Sequence, residues 1–253
     1  MERPFRARLL AGDLLVGTIV TLAAPEVAEL LASAGFDWLF IDAEHAPLGF
    51  RDAQALLQAA GSGCPCLVRV PAGEEVWLKK ALDLGAAGVI VPQVHSAEQA
   101  ERVVRLCKYP PQGTRGVGVA RAHGYGNRFG EYMALANDQV AVVLQAESAA
   151  AVRNIRSIVE VPGVDAILIG PYDLSASLGK TGKLADPEVT GAIATVTEAC
   201  LAAGMRLGAF GIDAPAVRPF IERGYTLIAA GIDTLLLSTA AGDLLSGIVQ
   251  PAP

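Results

Sequence analysis

Two carboxylates each follow a strand-like apolar run within residues 140–179. The run VAVVL (140–144) leads to Glu147, and the run VDAILI (164–169) leads to Asp173. Apolar residues at helical spacing lie between the runs and stop before Pro162, which is typical of a β-α-β unit in a parallel sheet. Neighbouring parallel strands lie ~4.8 Å apart, so both carboxylates can reach one point at the carboxyl edge of the sheet. Two converging carboxylates are suited to a hard divalent cation.

A purely structural interpretation of the same residues also remains open. Ser148 is a suitable N-cap for the helix that follows, with Glu147 merely near the positive end of that helix. Asp173 is a suitable cap for a turn at Leu174 and Ser175. Residue types alone do not decide between a metal site and capping.

Other polar residues occupy the ends of earlier apolar runs. In the tetrad DAEH (42–45), Asp42 precedes His45 by three residues and can orient the imidazole as a general base. The ordinary alternative for a lone histidine is a hydrogen-bonded packing role. Arg69 ends an otherwise apolar run, where its burial is costly without an anion to hold. The equivalent position after later runs holds further polar side chains: Gln93, His95 and Gln145.

Strand-like and helix-like runs alternate along the chain and must position these residues. The predicted strands are Val16–Val20, Trp38–Ile41, Cys66–Val70, Gly88–Val91, Val140–Leu144, Ala166–Ile169, Arg206–Phe210 and Leu227–Ala230. The predicted helices are Pro25–Ala34, Phe50–Ala60, Glu75–Leu84, Ala97–Cys107, Gly130–Asn137, Ala149–Val159, Pro187–Ala203 and Ala214–Arg223, with a last one near Asp233–Val249. Glycines follow five of them as expected for C-terminal caps: Gly35, Gly61, Gly85, Gly204 and Gly224.

This alternation over about 250 residues predicts an α/β fold, a (β/α)8 TIM barrel. A doubly wound open sheet is the competing fold, but no glycine-rich phosphate loop follows the first strand. No linker or low-complexity tract divides the chain, so we predict a single domain over residues 1–253. None of the eight predicted strands contains a lysine, which disfavours Schiff-base chemistry and favours metal-assisted chemistry.

Composition limits the partners and the compartment. The chain is 52% hydrophobic and 18% charged, enough apolar material for a substantial core. Its net charge of −6 argues against nucleic acid or an anionic membrane as a partner. We identify no apolar run of membrane-spanning length and no secretory signal. The four cysteines form no CxxC pair, so we expect a reducing cytoplasm.

One long irregular segment, Tyr109–Arg128, interrupts the alternation. A connection of this length is more often functional than filler. Its side chains Arg115, Arg121 and His123 are suited either to an anionic ligand or to holding the loop against a neighbouring subunit. The sequence does not separate these two possibilities.

Six ordered motifs resemble the HpcH/HpaI aldolases, which are metal-dependent class II pyruvate aldolases such as 4-hydroxy-2-oxoheptanedioate and 2-dehydro-3-deoxyglucarate aldolase. The motifs are FDWLFIDAEHAPL (36–48), LVRVP (67–71), LDLGAAGVIVPQV (82–94), GTRGVG (113–118), QAES (145–148) and VDAILIGPYDLSASLG (164–179). The resemblance covers about residues 14 to 245. It implies a TIM barrel that assembles as a homo-hexamer, a trimer of dimers, with the last helix swapped onto a neighbouring subunit.

The resemblance also implies roles for particular residues. The metal ligands of the family fall on Glu147 and Asp173, its proton acceptor on His45 and its transition-state arginine on Arg69. Substrate contacts fall on Gln145 and on the segment Gly170, Pro171, Tyr172 and Asp173. The acid that raises the basicity of the histidine falls on Asp83, with Asp42 as a second supporting carboxylate. Position 172 departs from the family because a smaller residue is expected there than Tyr172, and this bears on aldehyde specificity.

The implied reaction is the reversible cleavage of a 4-hydroxy-2-keto acid to pyruvate and an aldehyde. It would proceed through a pyruvate enolate stabilised by Mg²⁺, Mn²⁺ or Co²⁺ acting as a Lewis acid. Two alternatives stay open: a metal-dependent 2-keto acid decarboxylase of the same superfamily, and a non-catalytic barrel that binds a keto acid. In either case the partners are small molecules rather than nucleic acid or membrane.

Overall fold

The computed structural model describes residues 3–249 and contains a closed barrel of eight parallel strands in chain order. The strands are β1 (Leu15–Val20), β2 (Trp38–Asp42), β3 (Cys66–Arg69), β4 (Gly88–Val91), β5 (Ala141–Ala146), β6 (Ala166–Ile169), β7 (Arg206–Gly211) and β8 (Leu227–Ile232). Pairing of β1 with β8 closes the barrel. The predicted (β/α)8 barrel is therefore confirmed, and the open sheet is excluded.

Helices surround the barrel. They are α1 (Phe5–Ala11), α2 (Pro25–Ser33), α3 (Phe50–Ala60), α4 (Glu75–Asp83), α5 (Ala97–Cys107), α6 (Phe129–Gln139), α7 (Ala149–Val159), α8 (Pro171–Ser177), α9 (Pro187–Ala202), α10 (Ala214–Glu222) and α11 (Asp233–Val249). The five predicted cap glycines all adopt positive φ. Two short helices, α1 and α8, were absent from the predicted set because seven residues are too few to show a helical period.

The core lies in two layers, as strands buried on both faces require. Alternate strand residues, including Trp38, Phe40, Val143 and Leu168, fill the inside of the barrel. The other strand residues pack against the surrounding helices. Six of the eight predicted strands differ from the structure by one or two residues at an end. Two of these differences bear on the site, because β2 extends to Asp42 and β5 to Ala146, which places Asp42 and Gln145 within strands.

The long segment Tyr109–Arg128 is organised by contacts within the chain. Arg115 is fully buried between the rings of Tyr109 and Tyr132, at 4.5 and 5.8 Å from their centroids. The buried His123 ring contacts the backbone of residues 118, 120 and 126. Arg121 donates to the carbonyl of residue 84. Arg115, Arg121 and His123 thus hold the loop to its own subunit, and the predicted contact with an anionic ligand or a neighbouring subunit stays a prediction.

Candidate active site

A cavity of about 680 Å³ opens at the carboxyl end of the barrel. This is the end at which TIM-barrel enzymes carry their active sites. The predicted site residues that line it are Asp42, His45, Arg69, Gln145, Gly170, Pro171, Tyr172 and Asp173. The barrel thus brings together residues that are far apart in the sequence. Glu147 lies behind this lining, in contact with Gln145.

Glu147 is 3% exposed and is held from two sides. Its Oε1 accepts a 2.7 Å hydrogen bond from the backbone N–H of Gln93, and its Oε2 accepts one from the side chain of Gln145. Gln93 adopts a left-handed backbone with φ of 55°, which is uncommon for a residue other than glycine and common near functional sites. Ser148, rather than Glu147, caps α7 by accepting from the N–H of Ala151. The capping interpretation is confirmed for Ser148, whereas Glu147 is held by Gln93 and Gln145 and does not cap α7.

Asp173 comes from the neighbouring strand connection, as predicted, although it lies in the first turn of α8 rather than directly after β6. Its side chain makes no hydrogen bond to the part of the chain that the structure describes, so it does not cap a turn at Leu174 and Ser175. Gly170 keeps the space between the two connections open. A Cβ at Gly170 would lie 2.8 Å from Oε2 of Glu147.

Asp42 and Arg69 form a two-point ion pair across β2 and β3. Arg69 donates from Nε to Oδ1 at 2.9 Å and from Nη2 to Oδ2 at 2.7 Å, which leaves Nη1 turned toward Gln145. Burial alone would raise the pKa of Asp42, but Arg69 and two backbone N–H groups outweigh burial and lower that pKa. The anion that the sequence required for Arg69 is therefore supplied by the chain itself.

The structure corrects the predicted support of His45. Asp42 accepts a 3.2 Å hydrogen bond from the backbone N–H of His45 and so does not orient the imidazole ring. The ring Nε2 lies instead 3.7 Å from Oε2 of Glu44, and the side chain is 62% exposed. Oε2 of Glu44 is buried and accepts no hydrogen bond from the described residues, although Nε of Arg69 lies 3.3 Å away. Burial, with repulsion from Asp42 and Asp173, raises the pKa of Glu44 despite the attraction of Arg69.

Asp83 does not support His45 within the chain. It ends α4, which runs from the carboxyl end of the barrel toward the opposite end, about 12 Å along the helix at 1.5 Å per residue. There its Oδ1 accepts a 2.7 Å hydrogen bond from Arg115. The motif at 82–94 thus resembles the family, but within one subunit Asp83 anchors the long loop.

The described site contains more acidic than basic side chains, which favours binding of a cation. Asp42, Glu44, Glu147 and Asp173 influence one another, and Arg69 is the one side-chain cation identified beside them. Burial raises the pKa of Glu147 to about 7, helped by Glu44 and Asp173 and opposed by the Gln93 N–H and Arg69. Among residues 3–249, no group of three or more His, Cys, Asp or Glu side chains is arranged to bind a metal. Two carboxylates with the remaining positions open are nevertheless an ordinary donor set for Mg²⁺.

Sequence reasoning missed the roles of Glu44 and Gln93. The spacing of Glu44 in the tetrad gave no sign that its carboxylate, rather than that of Asp42, approaches the imidazole. The contact of Gln93 depends on its backbone angle, for which the sequence carries no signal. His95 lies outside the cavity lining, where its Nδ1 is 2.8 Å from Oγ of Ser148.

Comparisons with known proteins identify relatives along almost the whole chain. The sequence model of the family described as HpcH/HpaI aldolase/citrate lyase matches residues 16–240. A 4-hydroxy-2-oxovalerate aldolase of Rhodococcus jostii (strain RHA1) is 42% identical over 250 residues, covering 98% of this chain and 96% of the relative. A hydroxypyruvate/pyruvate aldolase of Cupriavidus necator is 41% identical over 246 residues, covering 96% of this chain and 91% of the relative. The crystal structure of an HpcH/HpaI aldolase/citrate lyase family protein from Burkholderia cenocepacia J2315 has a TM-score of 0.93 at 39% identity, covering 97% of this chain and 98% of that chain.

Proposed function

Because the chain belongs to the HpcH/HpaI aldolase/citrate lyase family, we propose that it is a carbon–carbon lyase that reversibly cleaves a 4-hydroxy-2-keto acid to pyruvate and an aldehyde. The observation that carries the proposal is the cavity at the carboxyl end of the barrel. His45, Arg69 and Asp173 line it, with Glu147 directly behind Gln145. The absence of lysine from all eight strands and from this lining supports a metal-assisted rather than a Schiff-base reaction.

Glu147 and Asp173 are the residues that would hold a divalent ion. Their carboxylates come from adjacent strand connections, and Gly170 leaves the space beside Glu147 open. A bound Mg²⁺, Mn²⁺ or Co²⁺ would supply Lewis acidity at the keto group of the substrate. Gln145 donates a hydrogen bond to Glu147. Gln145 and the segment Gly170–Asp173 also line the cavity, which supports the predicted contacts of these residues with the keto acid.

His45 and Arg69 carry out the proton transfer and the charge stabilisation that the reaction needs. In the cleavage direction, the neutral imidazole of His45 accepts the proton of the 4-hydroxyl group, and the C3–C4 bond breaks to release the aldehyde. The electron pair of that bond moves onto the pyruvate fragment, whose keto oxygen gains negative charge. Arg69 has Nη1 free of the Asp42 pair, so it can stabilise that charge without moving.

Product analysis tests this proposal. The protein should convert a 4-hydroxy-2-keto acid to equimolar pyruvate and aldehyde when Mg²⁺, Mn²⁺ or Co²⁺ is present, and should lose this activity in a chelator. Oxaloacetate is the substrate that tests the alternative activity, decarboxylation to pyruvate. Turnover of oxaloacetate without any aldol cleavage would favour the decarboxylase. Binding of pyruvate and metal without turnover of either compound would identify a non-catalytic barrel.

We expect metal affinity to depend on pH through Glu147. The pKa of about 7 means that the free carboxyl group is mostly protonated at pH 6 and mostly ionised at pH 8. A metal ion must displace that proton, so binding should be about tenfold weaker at pH 6 than at pH 8. Calorimetric titration with Mn²⁺ in buffers of different ionisation enthalpy measures both the affinity and the proton released. Equal affinity at the two pH values, with no proton released, would show that the metal displaces no proton from Glu147 in this range.

The C-terminal helix supports an oligomer. Every residue of α11 from Thr234 to Val249 is exposed, and its apolar side chains are Leu235, Leu236, Leu237, Leu244, Leu245, Ile248 and Val249. Such a face is too apolar to remain in water. We expect a homo-hexamer in which α11 packs on a neighbouring subunit. Light scattering at micromolar concentration checks this, and a monodisperse monomer would rule it out.

Tyr172 should influence the choice of aldehyde. It lines the cavity beside Asp173 and is 53% exposed, so its phenol is available to a substrate. Replacing it with Ala should change the relative kcat/KM among aldehydes by about tenfold, or about 1.4 kcal/mol, with metal affinity unchanged. The matched variant Tyr172→Phe keeps the ring and separates its bulk from its hydroxyl. The same aldehyde preferences in all three proteins would show that Tyr172 does not face the substrate.

We propose that the protein works in the cytoplasm as a single catalytic domain over residues 1–253. All four cysteines are buried free thiols, which supports a reducing compartment. The structure contains no helix within residues 3–249 that is long and apolar enough to cross a bilayer.

A further inference from the structure

The cavity has two chemically different sides, because the strands that form them differ in what they carry. The strands β2, β3 and β5 contribute Asp42, Arg69 and Gln145, and Asp173 follows β6. The same strands also bring apolar residues to the lining: Phe40 from β2 and Leu168 and Ile169 from β6. The strands β7, β8 and β1 contribute Phe210, Ile232, Ile19 and, just after β1, Leu22. Among the described lining residues, the polar side chains on that side are the uncharged hydroxyls of Thr21 and Thr234.

We infer that the aldehyde partner is uncharged and largely apolar, and that it packs against the side formed by β7, β8 and β1. The inference rests on the proposed function, because the metal ligands and Arg69 place the keto acid on the opposite side. A hydrocarbon group that covers these side chains removes apolar surface from water, which makes the binding free energy more favourable.

The charges around the cavity disfavour an anionic aldehyde. Arg69 is the only arginine or lysine in the described lining, and two of its nitrogens are already bonded to Asp42. With the aldehyde bound, His45 carries the proton that it donates to the forming 4-hydroxyl group, and it lies after β2 rather than on the side formed by β7, β8 and β1. Asp42 is paired with Arg69, and Asp173 is a proposed metal ligand, so neither offers a positive partner to a second carboxylate. A carboxylate on the aldehyde would therefore lose its hydration without gaining a partner.

The apolar side is also fixed in place. The buried carboxylate of Asp233 accepts from the N–H and the hydroxyl of Thr21 at 2.8 and 2.7 Å, and from the N–H of Leu22 at 2.9 Å. It also accepts from the N–H of Thr234 at 2.8 Å. These bonds join the loop after β1 to the start of α11. A movement of Thr21 or Leu22 away from α11 would break them.

The test compares aldehydes of equal chain length. With saturating pyruvate and Mn²⁺, kcat/KM for butanal should exceed that for succinic semialdehyde by about tenfold or more. The value of kcat/KM for propanal should likewise exceed that for glyceraldehyde. Equal values, or a preference for succinic semialdehyde or glyceraldehyde, would overturn the inference.

Two variants locate the effect. Thr234→Lys adds a cation to the apolar side and should raise kcat/KM for succinic semialdehyde about tenfold while lowering it for butanal. Thr195→Lys, on the exposed surface of α9, adds the same charge away from the cavity and should leave the ratio unchanged. If Thr234→Lys does not fold, Leu22→Lys provides the same comparison. An unchanged ratio in the folded cavity variant would place the aldehyde elsewhere.

Exchange of the pyruvate methyl protons with deuterated water separates the two possible failures, since it needs no aldehyde. Exchange and turnover with the wrong aldehyde preference would overturn the inference alone. No exchange and no turnover with any aldehyde would overturn the proposed function.

Discussion

Replacing His45 with Ala should lower aldol turnover by roughly 10²–10⁴-fold while leaving metal and pyruvate binding intact. That range is what a positioned general base usually contributes. The imidazole lines the cavity and is 62% exposed, and the one acid within 4 Å of it among residues 3–249 is Glu44 rather than a proposed metal ligand. The measurements are turnover with an aldehyde and calorimetric titration of Mn²⁺ into the same preparation. Extra metal should not restore the activity.

The control for His45 is His95→Ala, because His95 bonds to Ser148 outside the cavity lining. That variant should keep near-normal turnover. If His45→Ala lost metal affinity, the imidazole would be a ligand and its proposed role would be wrong. If His45→Ala kept its turnover, another group would have to move the proton.

The second large effect should come from Glu147. Glu147→Ala removes one of only two carboxylate ligands and should weaken metal binding by ~100-fold or more. The enzyme should be inactive at ordinary metal concentrations and partly recover with excess Mn²⁺ or Co²⁺. Its own hydrogen-bond partners, the Gln93 N–H and Gln145, would lose an acceptor at a cost of about 1–3 kcal/mol each.

Glu147→Gln keeps the shape of the side chain and part of its hydrogen bonding, which separates loss of the metal from loss of folding. Glu160→Ala removes an exposed carboxylate at the end of α7 and serves as the matched control. Normal metal affinity in both Glu147 variants would remove Glu147 from the proposed site.

The barrel and the approximate position of its active end were predictable from local signals. Apolar β-branched runs, helical periods and cap glycines can each be identified within a short stretch of sequence. Together they place Glu147 and Asp173 on adjacent strand connections without information on tertiary contacts. The position of Arg69 at the end of β3 was likewise readable, because a buried arginine requires an anion.

The contacts between these residues were not predictable in the same way. Asp42 was expected to orient the His45 imidazole, yet its oxygens are occupied by Arg69 and by backbone N–H groups, and Glu44 approaches the ring instead. The difference depends on side-chain direction across two strands, which sequence spacing does not encode.

Asp83 shows a limit of describing one subunit, because its predicted support of His45 stays a prediction. Within the subunit, α4 carries Asp83 away from His45 and into an ion pair with Arg115. The apolar face of α11 marks a related limit. Its sequence indicates that a surface must cover it, and that surface is not found among the contacts of the described chain.

The exchange of pyruvate methyl protons in deuterated water tests the central claim most directly, because it reports enolate formation without the choice of an aldehyde. The wild-type protein should exchange these protons when Mg²⁺, Mn²⁺ or Co²⁺ is present, and exchange should stop when a chelator is added. Glu147→Ala should behave like the chelated protein. Exchange that continues at the same rate in chelator, or no exchange with any of the three metals, would contradict the proposed metal-dependent aldolase.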